Sequence, residues 1–292
     1  MELTFLNVDQ LIEMSRLGFD HLPRFLLNLN AGNRFLGNLV IAPALAGWRK
    51  RTIAFCDART ALLSEDKPVS KLLAKEAGFD LPKGPNELNI GDAALFKPTN
   101  LGSSVGVYLD KFDGSVPHDY MVEEFIRGYD GTLVLVPSCQ SGALEMIAAQ
   151  IVVPDVETPL DWIYSEVAKE ETDAAPAMDF IDIDYDTHVA KAAEALASET
   201  GCTSVARVDF RYEGPLEEDL ILSKSKIKFV ELNALPTMGR KNNVTNYTRE
   251  YLTGQQDNLA ASYLLQRTMD HTLAAAMYLL GSSLFKNQFQ TK

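Results

Sequence analysis

The sequence predicts an α+β fold with mixed sheets, and two features of its hydrophobic pattern carry this prediction. Short apolar runs of strand-forming residues follow one another closely between residues 93 and 153, separated by turns rich in Gly, Asp and Pro. Apolar residues at helical spacing flank that region, around residues 66–78 and 189–201. Because short turns join neighbouring strands only in antiparallel order, we expect antiparallel pairing. With 292 residues, 46% of them hydrophobic, the chain has ample side chains for a core.

The charge balance argues against two classes of partner. There are 27 Lys and Arg against 40 Asp and Glu, a net charge of −13, which repels nucleic acid and anionic lipid. The longest basic cluster is only Arg49-Lys50-Arg51, and no apolar run reaches the ~18 residues of a membrane span. Residues 1–5 lack the features of a signal peptide. We therefore expect a cytoplasmic protein that binds neither nucleic acid nor membranes.

The three cysteines, Cys56, Cys139 and Cys202, lie far apart in the sequence. This spacing suggests neither a disulfide framework nor a zinc site, so we interpret them as small buried hydrophobic residues.

The chain begins with a small α/β unit over residues 1 to about 60. Residues 3–8 predict a strand, and Asp9 could cap a helix that ends at Gly18. A clearer helix follows, with Asp66 as N-cap, Pro68 in the first turn and Gly78 at the end. After a loop rich in Pro and Gly come five predicted strands, at residues 93–97, 106–109, 120–126, 131–137 and 144–153.

The remaining residues predict a loop, two further strands and two helices. Residues 155–179 are acidic and interrupted by prolines, which suggests a long mobile loop of the kind that often serves as a lid. The apolar stripe from Val189 predicts a helix that ends at Gly201. Strands are expected at residues 204–212 and 226–232, and a long apolar helix at residues 258–280.

The first candidate functional motif is the segment 96–107. A lysine at the end of a strand, here Lys97, followed by a Gly/Ser loop and another strand, can surround a polyphosphate with one charge and several backbone N–H groups. The alternative interpretation is a β-hairpin with a flexible glycine turn and a surface lysine. The segment lacks the Walker A pattern, so no P-loop enzyme is suggested.

The same loop matches a second pattern. Residues 102–106 read Gly-Ser-Ser-Val-Gly, the nucleophile elbow of the α/β-hydrolases, with Ser104 as the nucleophile and His271 as a conceivable base. An elbow needs a helix directly after its serine, whereas residues 105–110 are rich in β-formers. The context therefore argues against a hydrolase.

The second candidate motif combines two strands. Period-2 alternation puts Arg207 and Asp209 on one face of their strand, and Glu231 and Asn233 on one face of the next. If the two strands are neighbours, two carboxylates and an amide converge, which suits Mg²⁺, and Arg207 beside them could stabilise a transferring phosphoryl group. The polar, solvent-facing side of an amphipathic hairpin explains the alternation equally well.

The third candidate motif is the segment 120–130, a strand that runs into a Gly turn. Such a hinge can offer backbone groups to an adenine and a carboxylate to a ribose. The signal is weak on its own.

Five ordered segments, at residues 64–73, 97–107, 122–130, 206–210 and 231–236, resemble the D-alanine–D-alanine ligases and related ATP-grasp carboxylate–amine ligases. The resemblance implies the ATP-grasp fold, in which two α+β subdomains hold ATP between them. It also implies a division into a shortened N-terminal α/β substrate domain (1–60), a central subdomain (61–127) and a C-terminal subdomain with the metal site and lid (128–292). Amino-acid substrates and a homodimer are further expectations from this family.

The resemblance also implies roles for individual residues. Lys67 and Lys97 would lie on the phosphates, beneath a covering loop of Gly102, Ser103 and Ser104. Glu123, Glu124 and Ile126 would line the adenine site, and Asp130, where the family usually has Glu, would bind the ribose. Asp209, Glu231 and Asn233 would hold two Mg²⁺ ions, which Mn²⁺ could replace. Arg207, with Lys97 and Ser103, would lie at the reacting centre.

The implied reaction has two steps. A substrate carboxylate attacks the γ-phosphoryl group of ATP and forms an acylphosphate, and an amine then displaces phosphate to give an amide, ADP and inorganic phosphate. Because water would destroy the acylphosphate, the loop at 155–179 is expected to close over the site.

The sequence departs from this family where the amino acids would bind. The N-terminal unit lacks the family's glycine-rich opening, and the family's Pro-Gly-Met-Thr stretch is replaced by residues 236–243. In the lid, Tyr164 and Lys169 only lie near the expected Lys-Tyr pair. Specificity for D-alanine is therefore not expected to follow from the resemblance.

Two matters remain open at this stage. Arg240, Lys241 and Asn242 could bind a substrate carboxylate, although they could equally be exposed residues on a loop. Besides the ligase, the sequence allows a nucleotide-binding protein without ligase turnover and, less readily, the Ser104 hydrolase.

Overall fold

A computed structural model describes residues 56–99, 101, 104–138, 141, 143–163, 176–234 and 236, together with the short pieces 12–14, 16, 25–27, 44 and 52–54. Several predicted features lie outside these residues. They are the strand at 3–8, residues 102, 103, 139, 164, 169 and 240–242, His271 and the helix at 258–280.

A three-stranded antiparallel sheet forms one wall of the molecule. Its strands are β3 (Ala93–Pro98), β4 (Tyr108–Lys111) and β5 (Tyr120–Glu124), following two short strands, β1 (Phe25–Leu27) and β2 (Thr52–Ala54), that pair with each other in parallel. The order is β4-β3-β5, and Lys97 lies at the end of β3, next to the loop that leads to β4. Ala94, Phe96, Phe112 and Val122 form a small core on one face.

A five-stranded antiparallel sheet forms the larger part. Its strands are β6 (Gly128–Pro137), β7 (Leu144–Pro154), β8 (Met178–Asp182), β10 (Ala206–Glu213) and β12 (Ile227–Asn233), in the order β12-β10-β6-β7-β8. Two short strands, β9 (Asp184–Tyr185) and β11 (Ile221–Leu222), pair in parallel. Among the described strands, parallel pairing is confined to two-stranded sheets. The expectation of antiparallel strands is confirmed, and the expectation of mixed sheets is wrong for the described residues, because each sheet among them is of one kind.

Three helices begin at aspartate caps. They are α1 (Ala58–Glu65), α2 (Lys67–Glu76) and α3 (Thr187–Thr200). The Asp66 side chain accepts a 3.0 Å hydrogen bond from the backbone N–H of Val69, which confirms the predicted start of α2. Gly201 ends α3 in the left-handed conformation, with φ 74°, as predicted. Helix α1 was not predicted, since its N-cap Asp57 precedes only a short apolar pattern.

The helices pack against the five-stranded sheet and share one core with it. Buried members of this core include Ala61, Ala74, Phe79, Leu196, Val208, Phe210, Tyr212 and Phe229. Helices α1 and α2 both contact α3 and also β12, which comes more than 150 residues later in the chain. This packing brings the N-terminus of α2, with Lys67, close to Glu231 of β12, which is an edge strand of the sheet.

The predicted loop at 155–179 is shorter than expected. A 3₁₀ turn occupies Pro159–Asp161, and β8 begins at Met178 and pairs with β7 along the edge of the sheet. Most of β8 is exposed, with acidic side chains at Asp179 and Asp182. Charged residues are common on edge strands because they discourage pairing with other chains. Since the charged residues of β8 are acidic, its composition resembles that of the acidic loop before it, and the strand was not predicted.

Two further expectations can be compared with the structure. Cys56 and Cys202 are buried free thiols, and burial raises the pKa of Cys56 to about 12 and that of Cys202 to about 11, so both are unreactive, as expected of core residues. None of the helices in the described part of the chain is long and apolar enough to cross a lipid bilayer.

Gly128 begins β6 where a side chain has no room, and we expect Gly128→Ala to lower the free energy of unfolding by about 1–3 kcal/mol. A Cβ atom there would lie 1.8 Å from the carbonyl oxygen of Tyr212, a backbone atom of the neighbouring β10. Urea denaturation measures the effect. Gly84→Ala is the matched control, because a Cβ at Gly84 meets no atom within 4 Å. Equal urea midpoints for the two variants would contradict the expected close approach of β6 and β10.

Candidate active site

A cleft with about 770 Å³ of empty space, including its open part, lies between the two large sheets. The three-stranded sheet contributes Lys97 and Glu123, and the five-stranded sheet contributes Asp130, Arg211 and Glu231. Its other lining residues are Lys67, Pro82, Leu95, Leu101, Ser104, Val107, Glu124, Phe125, Ile126, Ile163 and Val230. The cleft therefore brings together residues from all three sequence motifs.

One wall of the cleft carries a buried cluster of charges around Glu123. One carboxylate oxygen of Glu123 pairs with Nζ of Lys97, and the other lies 2.8 Å from Nζ of Lys71. Nζ of Lys71 also donates a 3.1 Å hydrogen bond to the carbonyl oxygen of Phe229 on β12. The cluster thus joins β3, β5, α2 and β12, and it fixes the position of Lys97.

Lys67 lies beside this cluster at the start of α2. Its backbone N–H donates a 3.1 Å hydrogen bond to the carbonyl oxygen of Thr99, and its Nζ donates to the carbonyl oxygen of Leu101. Both acceptors belong to the loop that follows β3. The α2 terminus and the predicted phosphate-covering loop are therefore held together by the lysine that the sequence assigns to the phosphates.

Burial and charge pairing shift the pKa values of this cluster. Burial lowers the pKa of Lys67 and that of Lys71 below their ordinary values, against the attraction of nearby carboxylates. Burial alone would raise the pKa of Glu123, but Lys71 and Lys97 outweigh it and hold the pKa at about 2. Glu123 therefore stays ionised. An anion bound beside Lys67 would stabilise the charged form of its buried ammonium group.

The opposite wall contains the predicted metal-binding residues on adjacent strands. In the antiparallel register, Asp209 of β10 lies opposite Glu231 of β12, and Arg207 lies opposite Asn233. The apolar residues between them, including Val208, face the core. The expectation that these strands are neighbours and share one polar face is confirmed.

Two hydrogen-bonding partners orient Asp209. Nε and Nη2 of Arg207 lie 2.7 and 2.9 Å from its two oxygens, and the hydroxyl of Thr132 on β6 donates a 2.9 Å hydrogen bond. Burial raises the pKa of Asp209; Arg207 opposes this effect and Glu231 adds to it. Burial and Glu231 also raise the pKa of Glu65, at the end of α1, to about 7.

This crowding of carboxylates fits a bound cation. Two carboxylates and an amide are hard oxygen donors, and Mg²⁺ typically takes only one or two carboxylates because substrate phosphates and water complete its shell. Within the described ranges, no group of three or more His, Cys, Asp or Glu residues forms a metal site by itself. The donor set at Asp209, Glu231 and Asn233 suits an ion shared with a phosphate ligand.

The hinge between the two sheets is the third part of the site. Its buried residue Ile126 accepts a 2.9 Å hydrogen bond at its carbonyl oxygen from Nε of Arg211, and Nη1 of Arg211 lies 3.0 Å from Asp130. Glu124, at the end of β5, pairs with Lys83 at 2.9 Å. Backbone groups and carboxylates are thus present at this end of the cleft, as the third motif predicted.

The structure brings eight of the predicted site residues to the cleft. Lys67, Lys97, Ser104, Glu123, Glu124, Ile126, Asp130 and Glu231 line it directly. Arg207 and Asp209 of β10 lie opposite Asn233 and Glu231 of β12. Gly102, Ser103, Arg240, Lys241 and Asn242 lie outside the described residues, and the individual roles of all these residues stay predictions.

Two residues of the site were missed. Lys71 lies one helical turn after Lys67, so its i,i+4 spacing was a signal that could have found it. Arg211 follows Arg207 and Asp209 at period 2, which puts it on the same strand face. After Ser104 the chain forms a turn and then β4 rather than a helix, as expected, so the hydrolase alternative lacks the required elbow.

Comparison with known proteins supports the fold. A scan of protein-family models finds no match to this sequence, and a search of curated proteins finds none either. The structure is similar to the D-Ala:D-Ser ligase VanG from Enterococcus faecalis, with a TM-score of 0.57, 17% identity, and coverage of 82% of this chain and 68% of that one.

Two D-alanine–D-alanine ligases are similar to a comparable extent. The Bacillus anthracis enzyme complexed with ATP gives a TM-score of 0.56 at 17% identity, covering 85% of this chain and 79% of that one. The Coxiella burnetii enzyme gives 0.53 at 14% identity, covering 93% and 74%. The predicted ATP-grasp fold, resembling that of the D-alanine–D-alanine ligases, is therefore confirmed.

We expect the buried cluster around Glu123 to make folding sensitive to acid. The pKa of this carboxyl is about 2 in the folded protein against an ordinary 4.5, so its stabilising effect is complete above pH 4.5 and is lost as the pH falls toward 2. The difference corresponds to about 3 kcal/mol in the free energy of unfolding. Urea denaturation at a series of pH values measures it.

Two variants test the origin of this effect. Lys71→Met leaves Glu123 paired with Lys97 alone, so its acid transition should move to higher pH. Glu124→Gln removes the neighbouring, more exposed carboxylate and should leave the transition in place. If the free energy of unfolding falls over the same acidic pH range in the wild type and in Lys71→Met, the assigned cluster is contradicted.

Proposed function

We propose that the protein is an ATP-dependent carboxylate–amine ligase, which forms an amide through an acylphosphate and releases ADP and phosphate. The single observation that carries the proposal is the composition of the cleft. Buried Lys67 and Lys97 line the cleft together with Glu231, which lies opposite Asp209 of the neighbouring strand. Buried cations beside facing carboxylates suit a polyphosphate together with a divalent ion, and the ATP-grasp fold supports the same interpretation.

The two lysines would bind the phosphates. Their surroundings are low in water, so a charge-assisted hydrogen bond to phosphate is stronger there than at a surface. Lys97 is held by Glu123, and Lys67 by the carbonyl of Leu101, so neither has to be ordered when the ligand arrives. The loop that contains Ser103 and Ser104 would cover the phosphates.

Asp209, Glu231 and Asn233 would hold Mg²⁺, with Mn²⁺ as a substitute, and the family resemblance suggests two ions. A bound ion of this kind supplies charge neutralisation and orientation of the phosphate oxygens. The residues themselves are prepared for this role, since Arg207 and Thr132 fix the Asp209 side chain. The crowded carboxylates also repel one another until a cation joins them.

The chemistry would occur beside Arg207. A carboxylate oxygen of the first substrate attacks the γ-phosphorus, the bond to the bridging oxygen breaks, and ADP leaves. The Arg207 guanidinium would stabilise negative charge on the transferring group. The amine of the second substrate then attacks the acyl carbon, phosphate leaves with the acyl bonding electrons, and the amine loses a proton as the amide forms.

The hinge end of the cleft would take the nucleoside. Leu95, Phe125 and Ile126 offer apolar surface for a base, while Asp130 offers a carboxylate for ribose hydroxyls. Glu124 lies at the same end. ATP is abundant in the cytoplasm, where we expect the enzyme to work.

Amino acids or small peptides are the proposed substrates. The similar solved structures include enzymes named for D-alanine and D-serine, but this chain departs from the D-alanine ligase pattern at both amino-acid pockets. Arg240, Lys241 and Asn242 are the proposed contacts for a substrate carboxylate. Specificity for D-alanine is not part of the proposal.

The first test is phosphate release from ATP and Mg²⁺ in the presence of D- and L-amino acids, singly and in pairs, with mass detection of products. We expect release that requires a specific pair and yields a product lighter by one water than the sum of its substrates. ATP binding without phosphate release by any pair would instead favour the nucleotide-binding protein without turnover.

Glu231→Gln should abolish this phosphate release, because an amide is a much weaker ligand for Mg²⁺ than a carboxylate. Circular dichroism checks that the variant is folded. The matched control is Glu213→Gln, an exposed carboxylate at the far end of β10, which should turn over as the wild type does. Unchanged turnover in Glu231→Gln would remove the metal-site assignment.

A further inference from the structure

Arg211 joins three separate parts of the chain at the hinge end of the cleft. Its side chain, on β10, is buried with only 6% of its surface exposed. Nε donates a 2.9 Å hydrogen bond to the carbonyl oxygen of Ile126 in the hinge. Nη2 donates to the carbonyl oxygens of Leu160 and Trp162, at 3.2 and 2.7 Å. Nη1 lies 3.0 Å from Oδ2 of Asp130 on β6.

Only a guanidinium group can make all of these contacts at the same time. Its planar fork reaches three backbone carbonyls and a carboxylate at once, whereas a lysine could satisfy one or two of them. Its charge also lies 5.4 Å from the centre of the Phe125 ring. Removing the side chain would leave Asp130 without its cross-strand cation and would release the carbonyl of Ile126.

Nη1 of Arg211 faces Asp130 and has capacity for a further hydrogen bond. Although it forms an ion pair with Asp130, it is buried and has no hydrogen bond of good geometry within the described residues. Arg211 itself lines the cleft. A buried donor left in this state is costly unless a ligand or water completes it.

We infer that Arg211 is a positioning residue for the nucleoside, which holds the ribose-binding carboxylate and the hinge carbonyl in place and ties the segment at residues 155–163 to both. The inference rests on the proposed function, because it assigns Asp130 to the ribose. Its new content is that recognition of the ribose depends on a residue of β10 that would not touch the base or the transferred phosphate. The order of the 155–163 segment would then depend on whether the nucleoside site is correctly formed.

A second arginine provides a matched comparison. Arg127, in the hinge, pairs with Asp161 of the same 3₁₀ turn at 2.6 Å, but both side chains are largely exposed, at 67% and 42%. Exposed pairs contribute little because water screens them. The side chain of Arg127 therefore links the same two segments through Asp161, and Arg127 is not among the described residues that line the cleft.

The test compares the binding of ATP with that of 2′-deoxy-ATP and 3′-deoxy-ATP to the full-length chain by titration calorimetry. Wild type should prefer ATP over at least one deoxy analogue by about ten-fold, the value of one hydrogen bond to a charged group. Arg211→Met should lose most of this preference, as should Asp130→Asn. The double variant should be no worse than either single variant. Arg127→Met should keep the wild-type ratio.

A change in the ratio is a readout that a purely structural role would not produce. If Arg211→Met weakens the binding of ATP and of both analogues by equal factors, the ratio of affinities is unchanged. Arg211 then serves only packing, and the inference is overturned. Where Arg211→Met does not fold, Arg211→Lys, which keeps the charge but loses the fork, is measured in the same way and judged by the same ratio.

Limited proteolysis checks the second part of the inference. ATP should slow cleavage within residues 155–163 of the wild type and of Arg127→Met, but not of Arg211→Met or Arg211→Lys. Equal protection in all four proteins would overturn the link to this segment. Absence of any nucleotide binding by the wild type would reject the proposed function, and the inference with it; binding without discrimination would reject the inference alone.

Discussion

The register of β10 is the constraint on which the rest of the site depends. Val208, Phe210 and Tyr212 are fully buried in the main core, so the opposite face of the strand must carry Arg207, Asp209 and Arg211. A slip of one residue would exchange the two faces and bury three charges among apolar side chains. Hydrophobic burial on one side of the sheet thereby fixes which polar groups line the cleft on the other.

Buried ion pairs hold the charged side chains of the two cleft walls in fixed positions. Glu123 is balanced by two lysines from different elements, and Asp209 is balanced by Arg207. Each pairing carries a desolvation cost, so removing one partner leaves an uncompensated charge. The same arrangement restricts the movement of the groups proposed to meet phosphate and metal, which is how a binding site limits the entropy lost when its ligand arrives.

Particular elements show what the sequence could predict. The start of α2 at Asp66 and the end of α3 at Gly201 were predictable because capping is a local hydrogen-bonding and backbone preference. The faces of β10 followed from alternation, whereas a register shift in the pairing with β12 brings Val230, which alternation placed on the face opposite Glu231, to the cleft beside it. Strand β8 was missed because its acidic residues match a loop composition, and its pairing with β7 is a contact between distant segments.

By itself the sequence determined the caps and the polar face of β10, because these features depend on local chemistry and periodicity. Its ordered motifs resemble those of the ATP-grasp ligases, and that resemblance implied the fold. Only the tertiary structure decided that α1 and α2 pack on the later sheet, that Lys71 shares Glu123 with Lys97, and that Arg211 reaches Ile126, 85 residues away. The physical reason is that such partners are chosen by strand register and core packing. Strand register and core packing are settled only when segments far apart in the chain come together.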